Sequence, residues 1–246
     1  MINKRIIFAL LYSEGNFYLS RNFRLQKVGD INWIEENYKF HQTCEYLDEL
    51  AFILVTKNPD KKEKNNFYKD IEIVRKKIFS PIIIGGGIRN LEDVKKSFNN
   101  GADKILINTK MQDHEFIKSI SEIYGNQAIS IIVDYKFNKI TKEYDVFFEC
   151  GTKKSSMKIK EIIKILVNQN FGELILHSMD NDGTGNGFDI DLIKDLNVLP
   201  NKPILLMGGA GKPEHIINSL NNNKVSGVIT ANIFNFIGES FKTTRE

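Results

Sequence analysis

Two glycine clusters, Gly85-Gly86-Gly87-Ile88 and Gly208-Gly209-Ala210-Gly211, begin 123 residues apart in a chain of 246. A motif that returns at half the chain length points to a duplicated half-barrel with one anion-gripping loop per half. Each cluster follows a strand-length apolar run, Ile82-Ile83-Ile84 or Leu205-Leu206-Met207, and leads into a helical stretch. Without Cβ atoms the backbone N–H groups can close on an anion, and the start of a helix adds partial positive charge. One βα unit later, Asn108-Thr109 and Ala231-Asn232 stand where a second strand end would complete each cradle. Tight turns alone would explain one such cluster. Two at this spacing favour phosphate, bound by Gly86, Gly87, Asn108 and Thr109 in one half and Gly208, Gly209, Ala231 and Asn232 in the other. Cradles on both sides of one barrel mouth suit a long ligand phosphorylated at each end.

The rest of the chain agrees with a barrel. Short apolar runs alternate with amphipathic stretches, the pattern of βα units that build a parallel sheet. Strands are expected over 5–11, 49–55, 81–84, 104–107, 128–134, 173–177, 203–207 and 227–230. Helices are expected over 33–45, 65–79, 90–99, 113–124, 158–169, 189–196 and 213–221, with a short last helix after Asn232. Eight strands in 246 residues fit the α/β class as a (βα)8 TIM barrel. No Pro/Ser-rich linker divides the chain, so residues 1–246 read as one domain. Segments 13–31 and 135–152 are longer than a barrel connection requires and occupy matched places in the two halves. The second reads as a hairpin with Phe137, Ile140, Tyr144, Val146 and Phe148 as its apolar positions.

Hydrophobic residues at 41% can supply a full core, and a net charge of +3 from 34 basic and 31 acidic residues gives no argument for nucleic-acid or membrane attraction. Cys44 and Cys150 show neither CxxC spacing nor histidines at ligand intervals, so they read as reduced, partly buried thiols, with no metal or cofactor implied. The apolar run from Ile6 to Tyr12 is too short to span a bilayer and lacks a cleavage site, which leaves a cytoplasmic location as the expectation.

Acids mark the chemistry. Asp134 ends the run Ile129-Ser130-Ile131-Ile132-Val133, where a barrel strand would present a general acid or base, yet 123 positions earlier stands Leu11. A helix or turn cap is the alternative for Asp134, the stronger of the two catalytic candidates with Asp182. The loop Asp180-Asn181-Asp182-Gly183-Thr184 follows the sixth strand and lacks the glutamate of an EF-hand, so Asp182 reads as a ligand or proton-handling residue and Gly183 as a phosphate contact. His177, at the same strand end, has a place from which it can face the mouth. His41, His114 and His215 fall in helical stretches and read as surface or packing residues.

Taken together, these residues resemble the cyclase subunit of imidazole glycerol phosphate synthase, HisF. The likeness runs through Lys4-Arg5-Ile6-Ile7, Asp48-Glu49-Leu50, Gly101-Ala102-Asp103-Lys104, Ile107-Asn108-Thr109, Asp180-Asn181-Asp182-Gly183-Thr184 and both glycine clusters. It implies a barrel that takes ammonia from a glutaminase docked on the opposite face and reacts it with a bisphosphorylated ribulosyl-formimino substrate. It implies that Arg5, Glu49, Lys104 and Glu173, at the starts of alternate half-barrel strands, form the ammonia gate, with Asp103 a docking acid and Gln127 a gate neighbour. A salt-bridged plug that only satisfies buried charge is the alternative.

At the mouth the sequence departs from that family, which has aspartates on strands one and five. Asp134 matches the second, and Leu11 replaces the first. The lysine of the first loop is replaced near Leu19, an acid of strand two by Leu54, and a usual serine by Asn232. These departures resemble a HisF-like branch associated with amidino-sugar and surface-polysaccharide synthesis, which implies a HisH-like glutaminase as partner and a separate sugar amidotransferase as ammonia user. A working histidine-pathway cyclase and a non-catalytic scaffold that activates its glutaminase are the alternatives.

Overall fold

The computed structural model describes residues 4–38, 40 and 44–231. Its strands are β1 (Arg5–Ser13), β2 (Asn16–Arg21), β3 (Arg24–Gly29), β4 (Glu49–Leu54), β5 (Ile82–Gly85), β6 (Lys104–Ile107), β7 (Ile129–Asn138), β8 (Glu143–Phe148), β9 (Lys153–Lys158), β10 (Glu173–Ser178), β11 (Ile204–Met207) and β12 (Gly227–Thr230). The helices are α1 (Ile31–Tyr38), α2 (Lys61–Arg75), α3 (Leu91–Asn99), α4 (His114–Tyr124), α5 (Ile159–Leu166), α6 (Asp191–Asp195) and α7 (Pro213–Leu220). Strands β1, β4, β5, β6, β7, β10, β11 and β12 pair in parallel in that order, and β12 pairs back onto β1. The result is a closed eight-stranded (βα)8 barrel, as the alternation of runs predicts.

Parallel strands are covered on both faces, which is why they read as continuous apolar runs. Along β1, Ile6, Phe8, Leu10 and Tyr12 point outward into the layer shared with the helices, while Ile7 and Ala9 point into the bore. The helices answer with one apolar stripe each. In α5 it is Ile159, Ile162, Ile163 and Leu166, the i, i+3, i+4, i+7 spacing of a core-facing helix.

Both long segments are antiparallel extensions of the barrel sheet. β1 runs past the rim and pairs with β2, which carries β3; β7 does the same with β8 and β9. Each half of the barrel therefore opens with a strand that overshoots into a hairpin. The reading of 135–152 is corrected in two details. Ile140 sits at the turn, 92% exposed, instead of on the apolar face, and a third strand, β9, was not foreseen. Cys150 is exposed, not partly buried.

Helix α2 begins at Lys61, earlier than the expected 65, because Asp60 caps it by accepting from the Glu63 N–H. Asn90 and Asp113 cap α3 and α4 the same way. Loss of such a cap costs about 1 kcal/mol. Asp113→Ala is therefore expected to lower stability by about that amount, measured as a shift of the urea midpoint at unchanged slope; no shift would show that the cap contributes nothing. The expected last helix and His41 lie outside the described residues. No described helix is long and apolar enough to cross a membrane.

Candidate active site

Strand periodicity builds the site. Side chains alternate across a strand, so β1 sends Arg5, Ile7, Ala9 and Leu11 inward, β7 sends Ser130, Ile132 and Asp134, and β10 sends Glu173, Ile175 and His177. The bore is thus layered: charges at the floor, then Ile7, Ala9, Ala51, Ile83, Leu106, Ile132, Ile175 and Leu205, then the mouth.

At the floor the four expected gate residues meet. Arg5 reaches Glu49 at 2.5 Å and Glu173 at 2.7 Å, and Lys104 reaches the same two glutamates at 2.8 and 3.2 Å. Their strands are the first, second, fourth and sixth of the barrel, so the expectation of alternate strands is corrected. Glu49 and Glu173 are only 5% and 4% exposed, and two cations matched to two anions make their ionised burial tolerable. Burial pushes the Glu173 carboxyl up, but Lys104 and Arg5 outweigh it and hold the pKa below the usual range. Burial likewise opposes the Arg5 charge, and the two glutamates carry its pKa above the ordinary value. Ser130, not foreseen, donates to Glu173 at 2.6 Å. It was detectable as the single polar residue in the run ending at Asp134, four positions before it and therefore in the same inward column. Asp103 and Gln127 are exposed beside the floor, and Asp103 accepts from the Ile82 N–H at 2.8 Å.

At the mouth Asp134, His177 and Asp182 are buried together. Asp134 Oδ1 lies 2.9 Å from His177 Nδ1, and Asn108 donates to Asp134 Oδ2 at 3.2 Å and to the Ile132 carbonyl at 3.1 Å. Asn108 thus lines the cavity but commits its amide to Asp134 and Ile132. Asp182 Oδ2 accepts from Ser20 Oγ at 2.5 Å and from the Phe23 N–H at 3.0 Å, so the β2–β3 turn is tied over the opening. On this hairpin Ser20, Phe23 and Leu25 line the cavity; Leu19 does not. The Phe23 ring lies against the imidazole, centroids 4.9 Å apart. Leu11 and Leu54 form apolar wall on the first two barrel strands.

Burial alone would lower the His177 pKa, yet Asp134 and Asp182 together raise it to about 9. Asp182 Oδ1 stands 3.9 Å from Nε2, too far for a hydrogen bond, so its share is a charge interaction, and Nε2 has no hydrogen-bond partner. The same pairing holds the Asp182 carboxyl below the ordinary range against the opposing effect of burial. An unfolded imidazole titrates near ~6.5. The stabilisation from a charged His177 is therefore complete below that pH and is lost as pH rises through 9. Folding free energy is expected to fall by roughly 3 kcal/mol between those limits. Denaturant melts at the two ends of this range test it, and a His177→Phe variant should show a flatter profile.

The cradles flank this cluster. Gly86 and Gly87 have φ of 86° and 67°, Gly208 and Gly209 of 92° and 116°, and Gly183 of 65°, all in the region L residues avoid. These five, with Asn108, Thr109 and Ala231, line one cavity; Asn232 lies outside the described residues. Thr109 Oγ1 accepts from the Glu149 N–H at 3.4 Å, joining the β8–β9 turn to the first cradle. Arg89 and Lys57 line the same cavity, Lys57 paired with Glu149 at 3.3 Å.

Known proteins resemble this chain over its length. The family described as "Histidine biosynthesis protein" matches residues 29–239. A protein of Parasynechococcus marenigrum with the provisional name imidazole glycerol phosphate synthase subunit hisF2 is 38% identical over 247 aligned residues, all of this chain and 90% of that protein. The imidazole glycerol phosphate synthase subunit HisF of Leptospira biflexa is 38% identical over 81% of this chain and 78% of its own. That of Leuconostoc mesenteroides is 33% identical over 95% and 90%. With an eight-stranded barrel, two glycine cradles and a match spanning most of its length, the chain belongs to the histidine biosynthesis protein family as a HisF-like member.

Proposed function

We propose that this chain is the barrel subunit of a glutamine-dependent complex, taking ammonia from a HisH-like glutaminase through the floor and releasing it at a mouth that holds a phosphorylated ligand. In this reading the ammonia serves amidino-sugar synthesis for surface polysaccharide, through a separate sugar amidotransferase, instead of closure of an imidazole ring. The observation that carries it is Leu11: a leucine that can neither give nor take a proton faces the mouth where ring closure calls for a second acid. Beneath it the four-residue ring at the floor is complete, and the bore between is apolar, with Ala9 and Ala51 as its smallest side chains. An uncharged ammonia molecule suits such a bore; ammonium does not. Gln127 and Asp103 stand on the face that would meet the glutaminase.

Reconstitution with the glutaminase and the bisphosphorylated substrate of the histidine pathway tests this reading. Glutamine hydrolysis with imidazole formation at least 100-fold below that of a histidine-pathway cyclase is expected. Robust imidazole formation would overturn it and favour the second reading, a working cyclase, which is supported by the meeting of Asp134, His177 and Asp182 in one cluster.

A further inference from the structure

The mouth lacks an acid at position 11 but contains a proton donor that neither reading of the glycine cradles requires. His177 projects from the end of β10 into the cavity shared by both cradles. Its Nδ1 is fixed by Asp134 at 2.9 Å. Its Nε2 is buried, has no hydrogen-bond partner, and stands 3.9 Å from Asp182 Oδ1. A buried N–H donor without an acceptor is uncommon in a folded protein, and at 3.9 Å Asp182 does not satisfy it. Phe23 covers one face of the imidazole and keeps bulk water from it. The second cradle is close by: a Cβ placed on Gly208 would lie 3.3 Å from His177 Cδ2. A ligand with its phosphate on Gly208 and Gly209 therefore brings atoms only a few bonds from that phosphate to Nε2.

We propose that His177 is a catalytic residue, the general acid of this mouth, and that its substrate class is a short phosphorylated carbonyl compound whose carbonyl oxygen accepts the Nε2 proton as ammonia adds. This rests on the reading that the cradles hold phosphate and that ammonia reaches the mouth, and goes beyond it in having that ammonia react with the ligand held there before anything is passed on. The nitrogen lone pair forms the C–N bond, the C=O π pair takes the proton from Nε2, and a carbinolamine results. The extra proton on nitrogen passes to the neutral imidazole just formed, which restores the imidazolium. Loss of water then gives the imine, with no redox step. Asp134 acts here as the positioning residue that fixes the ring and favours its charged form.

The charged groups facing His177 are Asp134 from β7 and Asp182 from the loop after β10; the β2–β3 hairpin lines the cavity with the uncharged Ser20, Phe23 and Leu25. Lys57, Arg89 and Glu149 line the same cavity from other loops.

The test uses the barrel without any glutaminase, with dihydroxyacetone phosphate as probe, ammonium chloride as nitrogen source, and cyanoborohydride to trap the imine for mass spectrometry. Wild-type protein is expected to yield amine above the protein-free background. Its rate, corrected for free ammonia, should fall as pH rises through about 9. His177→Gln should lower the rate at saturating probe about 100-fold, with KM within threefold and no fall at high pH. In a second measurement on unmodified protein, the His177 Nε2 resonance of ¹⁵N-histidine-labelled barrel should move when the probe is added. An unchanged rate in His177→Gln, a wild-type yield no higher than background, or an Nε2 resonance that does not respond would each overturn the proposal. Because ammonium is supplied directly, a floor that conducts nothing leaves this result intact, whereas failure here leaves glutamine-driven ammonia transfer untouched.

Discussion

Glu173→Leu is expected to cost about 3–5 kcal/mol of folding stability, the largest loss from any single change at the floor. One carboxylate holds Arg5 at 2.7 Å, Lys104 at 3.2 Å and the Ser130 hydroxyl at 2.6 Å. Without it two cations face a single glutamate, in a layer where the side chains of Arg5 and Lys104 are only 18% and 19% exposed. The leucine restores volume but leaves Ser130 without its acceptor. For a chain of this size the loss corresponds to a fall in Tm of roughly 10 °C. Adding Lys104→Met should recover part of it by removing the orphaned cation, and the non-additivity of the pair measures their coupling. A loss below about 1 kcal/mol would mean that water had already screened the ring. The acid limb carries a sign of its own: because the Glu173 pKa is held low, its contribution is complete above the ordinary carboxylate range and is lost as pH falls from there through the lowered folded value. Glu173→Leu should flatten that limb.

The second large effect is expected at the cradles. A Cβ on Gly86 would lie 1.9 Å from the Leu54 carbonyl oxygen, and one on Gly209 would lie 2.0 Å from the Gly187 carbonyl oxygen. Those are backbone atoms and cannot swing aside. With φ of 86° and 116°, the alanine would also be strained in its own backbone. Gly86→Ala and Gly209→Ala are each expected to lose about 3 kcal/mol or more and to open the adjacent N–H cradle. Gly15→Ala is the control: φ is 75°, but nothing lies within 4 Å, so only the conformational cost of about 1 kcal/mol should appear. Equal losses at Gly15 and Gly86 would show that close approach does not matter. Inorganic phosphate affinity, followed calorimetrically, should fall in the cradle variants and stay unchanged in Gly15→Ala.

Much of this architecture is legible in the chain because barrel strands obey a two-residue period and are buried on both faces. All eight runs are found, with ends within a few residues, and the inward columns carry Arg5, Lys104, Asp134 and Glu173 to the layers where they meet. What escapes are features fixed by contacts distant in sequence. Ser20 lies on β2 and Phe23 in the turn after it, and only the fold sets them against Asp182 and His177. Lys61-Lys62-Glu63-Lys64 carries no apolar periodicity, so the pattern starts α2 four residues late, although Asp60 is a recognisable cap. Ile140 was placed on the hairpin's apolar face by its alternation alone, but Asn138 accepts from the N–H groups of Ile140 and Thr141 and folds the chain into a turn there. His177 was legible as a strand-end histidine, but not its pairing with two carboxylates, since Asp134 lies 43 residues away.

Asp103 does more than present a charge on the floor. Its carboxylate holds the first N–H of β5, and that strand, four residues long, runs straight into Gly86 and Gly87. At about 3.3 Å per residue the distance covered is roughly 13 Å. A protein that pulled on Asp103 would therefore tug one end of a short, stiff rod whose other end is the glycine loop. The two faces of the barrel are thus joined in series along this one strand, with no hinge between them.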